Sequence, residues 1–156
     1  MKITLKDGSS KEYDKAMSVY EIAKDISEGL ARMACAGELD GNVVDLRTVV
    51  DKDAELNILT FNDEAGKAAY RHTTSHVLAQ AVNRLYPKAK LAIGPSIDTG
   101  YYYDFDIEPF DRAALDELEK EMKKIIKEGA TLERFTLPRA EAIALMKEKD
   151  EPYKVE

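Results

Sequence analysis

His72 and His76 are the only histidines among the 156 residues, and they stand four positions apart in Arg71-His72-Thr73-Thr74-Ser75-His76. On a helix that spacing puts both imidazoles on one face, about one turn apart. Two imidazoles so placed suit a shared metal ion, or two polar groups facing one substrate. They can equally be solvated side chains on a surface helix. At ~100° per residue, both point roughly 120–160° away from Leu78. They therefore stand off the apolar stripe of their own helix, toward solvent or a cleft. Zinc takes three or four donors from His, Cys, Asp or Glu. Cys35 is the single cysteine and reads as a buried strand residue. No Cys-x-x-x-His occurs, and nothing in the spacing brings Asp104 or Asp106 to the pair. The two histidines amount to half a metal site at most. Lys154 reads by itself as a solvated side chain, or within a site as an ammonium that steadies developing negative charge. Gly94-Pro95 and Gly100-Tyr101-Tyr102-Tyr103 read either as a base-stacking surface or as a tight turn and a half-buried strand.

The histidines need a helix, and the sequence supplies one. Asp63 is placed to cap it, Tyr70, Val77, Leu78, Ala81, Val82 and Leu85 form its apolar stripe, and Pro87 ends it. Upstream, Ile3 and Leu5 alternate with polar residues as in a half-buried strand. Asp7-Gly8 is a turn signal, and Lys11-Glu12-Tyr13 reads as the return strand. Ser18-Val19-Tyr20-Glu21 has capping-box spacing ahead of a helix with Val19, Ile22, Ala23 and Ile26 on one face, for which Gly29 is the expected stop. Ala34 to Leu39, Val43-Val44 and Leu56 to Leu59 read as strands, the first two joined by an Asp40-Gly41 turn. That order is the order of a β-grasp fold. Downstream, Lys90 to Ile93, Gly100 to Phe105 and Leu132 to Leu137 read as strands. Asp111 caps a helix carrying Leu115, Leu118, Met122, Ile125 and Ile126, which Gly129 stops. Pro138 opens a last helix reaching about Lys149, and Asp150-Glu151-Pro152 breaks it.

Hydrophobic residues make up 44% of the chain and charged residues 34%, which is soluble globular composition. No apolar run approaches the ~20 residues of a membrane span, and the first residues lack the apolar core of a signal peptide. A lone cysteine excludes an intrachain disulfide. Together these features point to the cytoplasm. The net charge of −7 disfavours strong independent binding of nucleic acid. It leaves room for a pocket that receives an RNA end while other domains hold the RNA body.

The run His72-Thr73-Thr74-Ser75-His76-Val77-Leu78-Ala79-Gln80-Ala81, with Ile93-Gly94-Pro95-Ser96-Ile97 and Gly100-Tyr101-Tyr102-Tyr103-Asp104-Phe105 behind it, resembles the N-terminal region of the threonyl-tRNA synthetase family. Asp7-Gly8, Ser18 and Ala36-Gly37-Glu38-Leu39-Asp40-Gly41 look like that family's TGS domain, and Tyr153-Lys154-Val155 also matches. The likeness covers essentially the whole chain. Its histidine helix alone is less specific, because alanyl-type editing domains share it.

The resemblance implies an α+β protein: a ubiquitin-like β-grasp (TGS) domain over residues 1–62, then over 63–156 the first part of an α/β editing domain of the threonyl/alanyl type, apparently truncated. It implies a parent enzyme that charges tRNA(Thr) with threonine using ATP, magnesium and a catalytic-domain zinc, none of which this region is expected to hold. Serine is smaller than threonine by a methyl, worth only ~1–3 kcal/mol of discrimination, so seryl-tRNA(Thr) must be hydrolysed afterwards. His72, His76 and Lys154 are the residues that the resemblance places in that editing pocket. The family's Cys-x-x-x-His is missing here, so this region alone is expected to be inactive. Zinc at the editing site is left open, with none held tightly by two ligands. The expected partners are the tRNA(Thr) 3′ end and the rest of the synthetase chain, with no membrane. The region is expected to be monomeric and the parent a homodimer. Two other readings stand beside this one: a free-standing trans-editing hydrolase, and a non-enzymatic TGS-containing binding or regulatory module.

Overall fold

The computed structural model describes residues 1–155, in two compact units, Met1–Tyr70 and Arg71 onward. Glu156, the last residue of the expected second domain, lies outside the described residues.

The first unit is a β-grasp. Strand β1 (Lys2–Leu5) turns at Asp7-Gly8 into β2 (Ser10–Glu12), followed by a two-residue strand β3 (Met17–Ser18) and helix α1 (Val19–Ile26). Ser18 accepts from the Glu21 N–H while the Glu21 carboxylate accepts from the Ser18 N–H at 2.7 Å, the reciprocal capping box that the spacing predicts. The expected stop at Gly29 is not there. Ser27 ends α1, and its Oγ accepts from the N–H groups of Gly29 and Leu30, which starts a second short helix, α2 (Glu28–Met33).

Then come β4 (Ala34–Leu39), β5 (Asn42–Val44), β6 (Val49–Val50) and β7 (Ala54–Thr60). Asp40 and Gly41 both take positive φ, 49° and 79°, the geometry of a tight two-residue hairpin. The sheet order is β2-β1-β7-β4-β5, with β1 parallel to β7 and the other pairs antiparallel. Helix α1 covers one face. Ile3, Val19, Ile22, Val50, Ala54 and Leu56 are buried together there, each large side chain contributing about 1.5–3 kcal/mol relative to exposure. The β3–β6 pair closes this core and was invisible in the sequence.

Helix α3 (Glu64–Leu85) carries the histidines, and the two units divide within it. Asp63 precedes it but does not cap it with its side chain. The carboxylate turns back and accepts from the Thr60 N–H at 2.8 Å. Gly66 lies against the end of β7, where a Cβ would stand 1.9 Å from the Thr60 carbonyl oxygen. Two members of the expected apolar stripe are exposed: Tyr70, edge-on to Phe61 at 5.2 Å, and Leu85.

In the second unit, the expected strands are shorter and more broken than the sequence suggested. Strand β8 (Lys90–Leu91) pairs with β11 (Phe105–Asp106), and β9 (Ser96–Ile97) pairs with β10 (Gly100–Tyr101). Residues 102–104 join the two pairs, so Gly100 to Phe105 is not one strand. Helix α4 (Arg112–Glu128) has the expected ends: the Asp111 carboxylate accepts from the Ala114 N–H at 2.7 Å, and Gly129 takes φ 62°. Leu118 and Ile125 join Ala81, Val82 and Ala89 in the core, whereas Leu115 and Ile126 face solvent. The segment 132–137 forms no strand. It runs exposed, with Phe135 at 70%, because it has no strand beside it to take its backbone groups. Helix α5 (Arg139–Glu148) follows, then a 3₁₀ turn, Pro152–Lys154.

Candidate active site

The second unit assembles its polar groups around α3. Both imidazoles are solvent-accessible, with Nε2 of His72 3.1 Å from Nε2 of His76 and the rings edge-on at 4.5 Å between centroids. A hydrogen bond between two Nε2 atoms requires one to donate and the other to offer a lone pair. The accepting ring is therefore neutral, and the pair carries one positive charge at most. Burial, then the nearby His72 and Lys154, hold the His76 pKa below its ordinary value.

Two residues of α3 fix the loop opposite. Ser75, fully buried, has its Oγ 2.7 Å from the His72 carbonyl and 2.9 Å from the Gly94 carbonyl, so its one proton serves both. Arg71 donates to the carbonyls of Ile97 and Asp98 at 3.2 and 2.7 Å. Gly94 lies against the ring of Tyr103, where a Cβ would stand 2.0 Å from Cδ2. Tyr103 in turn stacks on Phe105 at 4.8 Å. Backbone bonds from Ala92 N–H to Asp104 O and from Asp104 N–H to Ile93 O tie the two segments together. Gly94 and Tyr103 are thus packed together, while Tyr102 is exposed.

Lys154 arrives through the last turn. Asp150 pairs with Lys90 on β8, and the Tyr153 hydroxyl donates to Asp106 on β11 at 3.0 Å. These contacts hold the turn against the β8–β11 pair and bring the Lys154 ammonium close enough to depress the pKa of His76. Glu151 stands beside it. Its side chain is only 12% exposed, and one carboxylate oxygen, without a hydrogen bond, lies 3.5 Å from Lys154 Nζ. Burial, and secondarily the Glu151 charge, raise the pKa of Tyr103, so its phenol stays protonated.

All three site residues expected from the sequence, His72, His76 and Lys154, fall in this unit. Ser75, Arg71 and Glu151 were not singled out by sequence reasoning. Ser75 had a signal, since 75, 79 and 82 share helical spacing and are all buried. Glu151 had none beyond its place in a chain break. Among the described residues no group of three or more His, Cys, Asp or Glu is placed to hold a metal ion, and Asp106 is engaged by Tyr153. Cys35 belongs to the first unit, half-buried in β4.

Comparison with known proteins gives a consistent picture. The TGS domain family matches residues 1–60. The whole chain aligns with threonine–tRNA ligases: 62% identity with that of Acetivibrio thermocellus, 60% with that of Clostridium perfringens and 59% with that of Caldanaerobacter subterraneus subsp. tengcongensis. In each case all of the chain is covered, but it spans only about a quarter of the relative's length. Among the described residues no helix is long and apolar enough to cross a membrane.

Proposed function

We propose that this chain, a homologue over its whole length of the TGS-bearing region of threonine–tRNA ligases, contributes the His72, His76 and Lys154 side chains to a hydrolytic site that removes serine from mischarged tRNA(Thr). The parent enzyme on this reading joins threonine to tRNA(Thr) at the expense of ATP. The single observation that carries the proposal is the hydrogen-bonded imidazole pair held on an accessible helix face with an ammonium nearby.

The arrangement assigns roles. We assign His72 as the donor of its Nε2–H and His76 as the acceptor, one of the two tautomer arrangements that the 3.1 Å contact allows. That leaves Nδ1 of His72 as a basic nitrogen. As water attacks the ester carbonyl carbon, its proton passes to His72 Nδ1, and the His76 lone pair supports the imidazolium that results. The Lys154 ammonium offsets the negative charge gathering on the carbonyl oxygen. When the carbon–oxygen ester bond breaks, the ribose hydroxyl leaves with the proton returned from His72, and serine is released. No step needs a metal.

The test is hydrolysis of seryl-tRNA(Thr) by this chain and by one extended through the next segment containing His and Cys. Activity only in the extended chain supports a site shared with later residues. Activity in neither would favour a TGS-containing binding module.

A further inference from the structure

We propose that Glu151 is a positioning residue, whose carboxylate anchors the Lys154 ammonium in the site occupied by the histidine pair. The role given to Lys154 rests on the reading above; the anchoring does not. Lysine has a flexible four-carbon stem and a strongly hydrated head, so an accessible ammonium stays near other groups only where something holds it. The Glu151 side chain is 88% withdrawn from solvent, yet it spends one oxygen on no hydrogen bond and faces Lys154 Nζ at 3.5 Å. A buried carboxylate oxygen left unpaired is costly, and among the described groups Lys154 is the cation set against it. Glu151 immediately precedes the 3₁₀ turn that carries Lys154, and the Lys154 N–H is bonded to the Glu151 carbonyl at 3.1 Å. That turn is itself pinned by Asp150 to Lys90 and by Tyr153 to Asp106. Backbone and carboxylate together fix the direction of the lysine stem.

The experiment reads Lys154 through its neighbour and needs no tRNA, so it is independent of whether the site edits. His76 titration is followed by NMR in the chain as it stands and in Glu151→Gln, Lys154→Ala and the double variant. The charged groups that act on His76 are His72 on its own helix and Lys154 from the last turn; Glu151 faces Lys154 and acts on Tyr103. Removing Lys154 should raise the His76 pKa. If Glu151 anchors the lysine, Glu151→Gln should raise it also, close to the Lys154→Ala value, and the double variant should match Lys154→Ala alone. A bystander carboxylate predicts the opposite sign, because losing a negative charge while the ammonium stays would leave the pKa unchanged or lower it. That result, or a Lys154→Ala variant that leaves His76 unmoved, would overturn the proposal. Since Gln is isosteric with Glu, the turn should stay folded, and a retained contact of the Tyr153 ring with Asp106 confirms that it has.

Discussion

Gly94→Ala puts the packing of the candidate site to a severe test. The added methyl would stand 2.0, 2.3 and 2.7 Å from Cδ2, Cε2 and Cγ of Tyr103, well inside van der Waals contact. The ring cannot swing clear cheaply, because it is half-buried and stacked on Phe105 at an interplanar angle of 14°. The Gly94 backbone cannot retreat freely either, since its carbonyl accepts from the buried Ser75 hydroxyl. No positive φ is involved at Gly94, so the effect is steric alone. Overpacking of this kind costs ~1–3 kcal/mol. In a unit of this size each kcal/mol moves the melting temperature by roughly 4–8 °C, so a drop of about 8–16 °C is expected for a cost of ~2 kcal/mol. Thermal unfolding followed by near-ultraviolet tyrosine dichroism reads it, and the His72–His76 ring contacts should be disturbed in the same variant. A melting temperature within a degree or so of wild type would show that Tyr103 is not packed on Gly94, and the account of how the loop is held beside α3 would fail.

Gly66→Ala should be at least as damaging to the first unit, by about 2 kcal/mol or more, because its Cβ would meet a backbone carbonyl rather than a side chain; urea unfolding measures it. Ser18→Ala should cost ~1 kcal/mol in the same assay by removing the capping box of α1. His76 binds a proton less readily folded than unfolded. The stability tied to its neutral ring is therefore full above pH ~6.5 and lost as the pH falls through the lower folded value. His76→Gln should flatten that loss in urea titrations repeated at falling pH. Partial burial, then the hydrogen bond to Asp25 at 3.0 Å, push the half-buried Tyr13 phenol up to about 12. Its contribution should persist below pH ~10 and vanish as the pH rises through that folded value, and Asp25→Asn should bring its phenolate absorbance to lower pH.

The sequence was most legible where structure is decided locally. The Ser18 capping box, the Asp40-Gly41 hairpin and the Asp111 and Gly129 ends of α4 all depend on residues within a few positions of one another, and all were read correctly. It was least legible where a partner decides. Residues 132–137 have strand composition but no strand beside them. Met17–Ser18 has little strand signal and Val49–Val50 offers only two strand-forming residues, yet the two pair. Gly29 looked like a helix stop, but Ser27 had already ended α1 and capped the next helix. In the site, the His spacing gave the pair and its accessible face. Lys154 came only from the family resemblance, since no local pattern separates it from a solvated lysine. Glu151 required the folded chain, because its burial arises from how the last turn docks on β8 and β11.

The central claim meets its most direct test in a complete threonine–tRNA ligase carrying this region, with seryl-tRNA(Thr) deacylation measured for wild type and for His72→Ala. The account predicts that deacylation falls by ~10²-fold or more, the usual worth of a positioned general base, while charging with threonine is unchanged. Undiminished deacylation in the His72→Ala enzyme would contradict it.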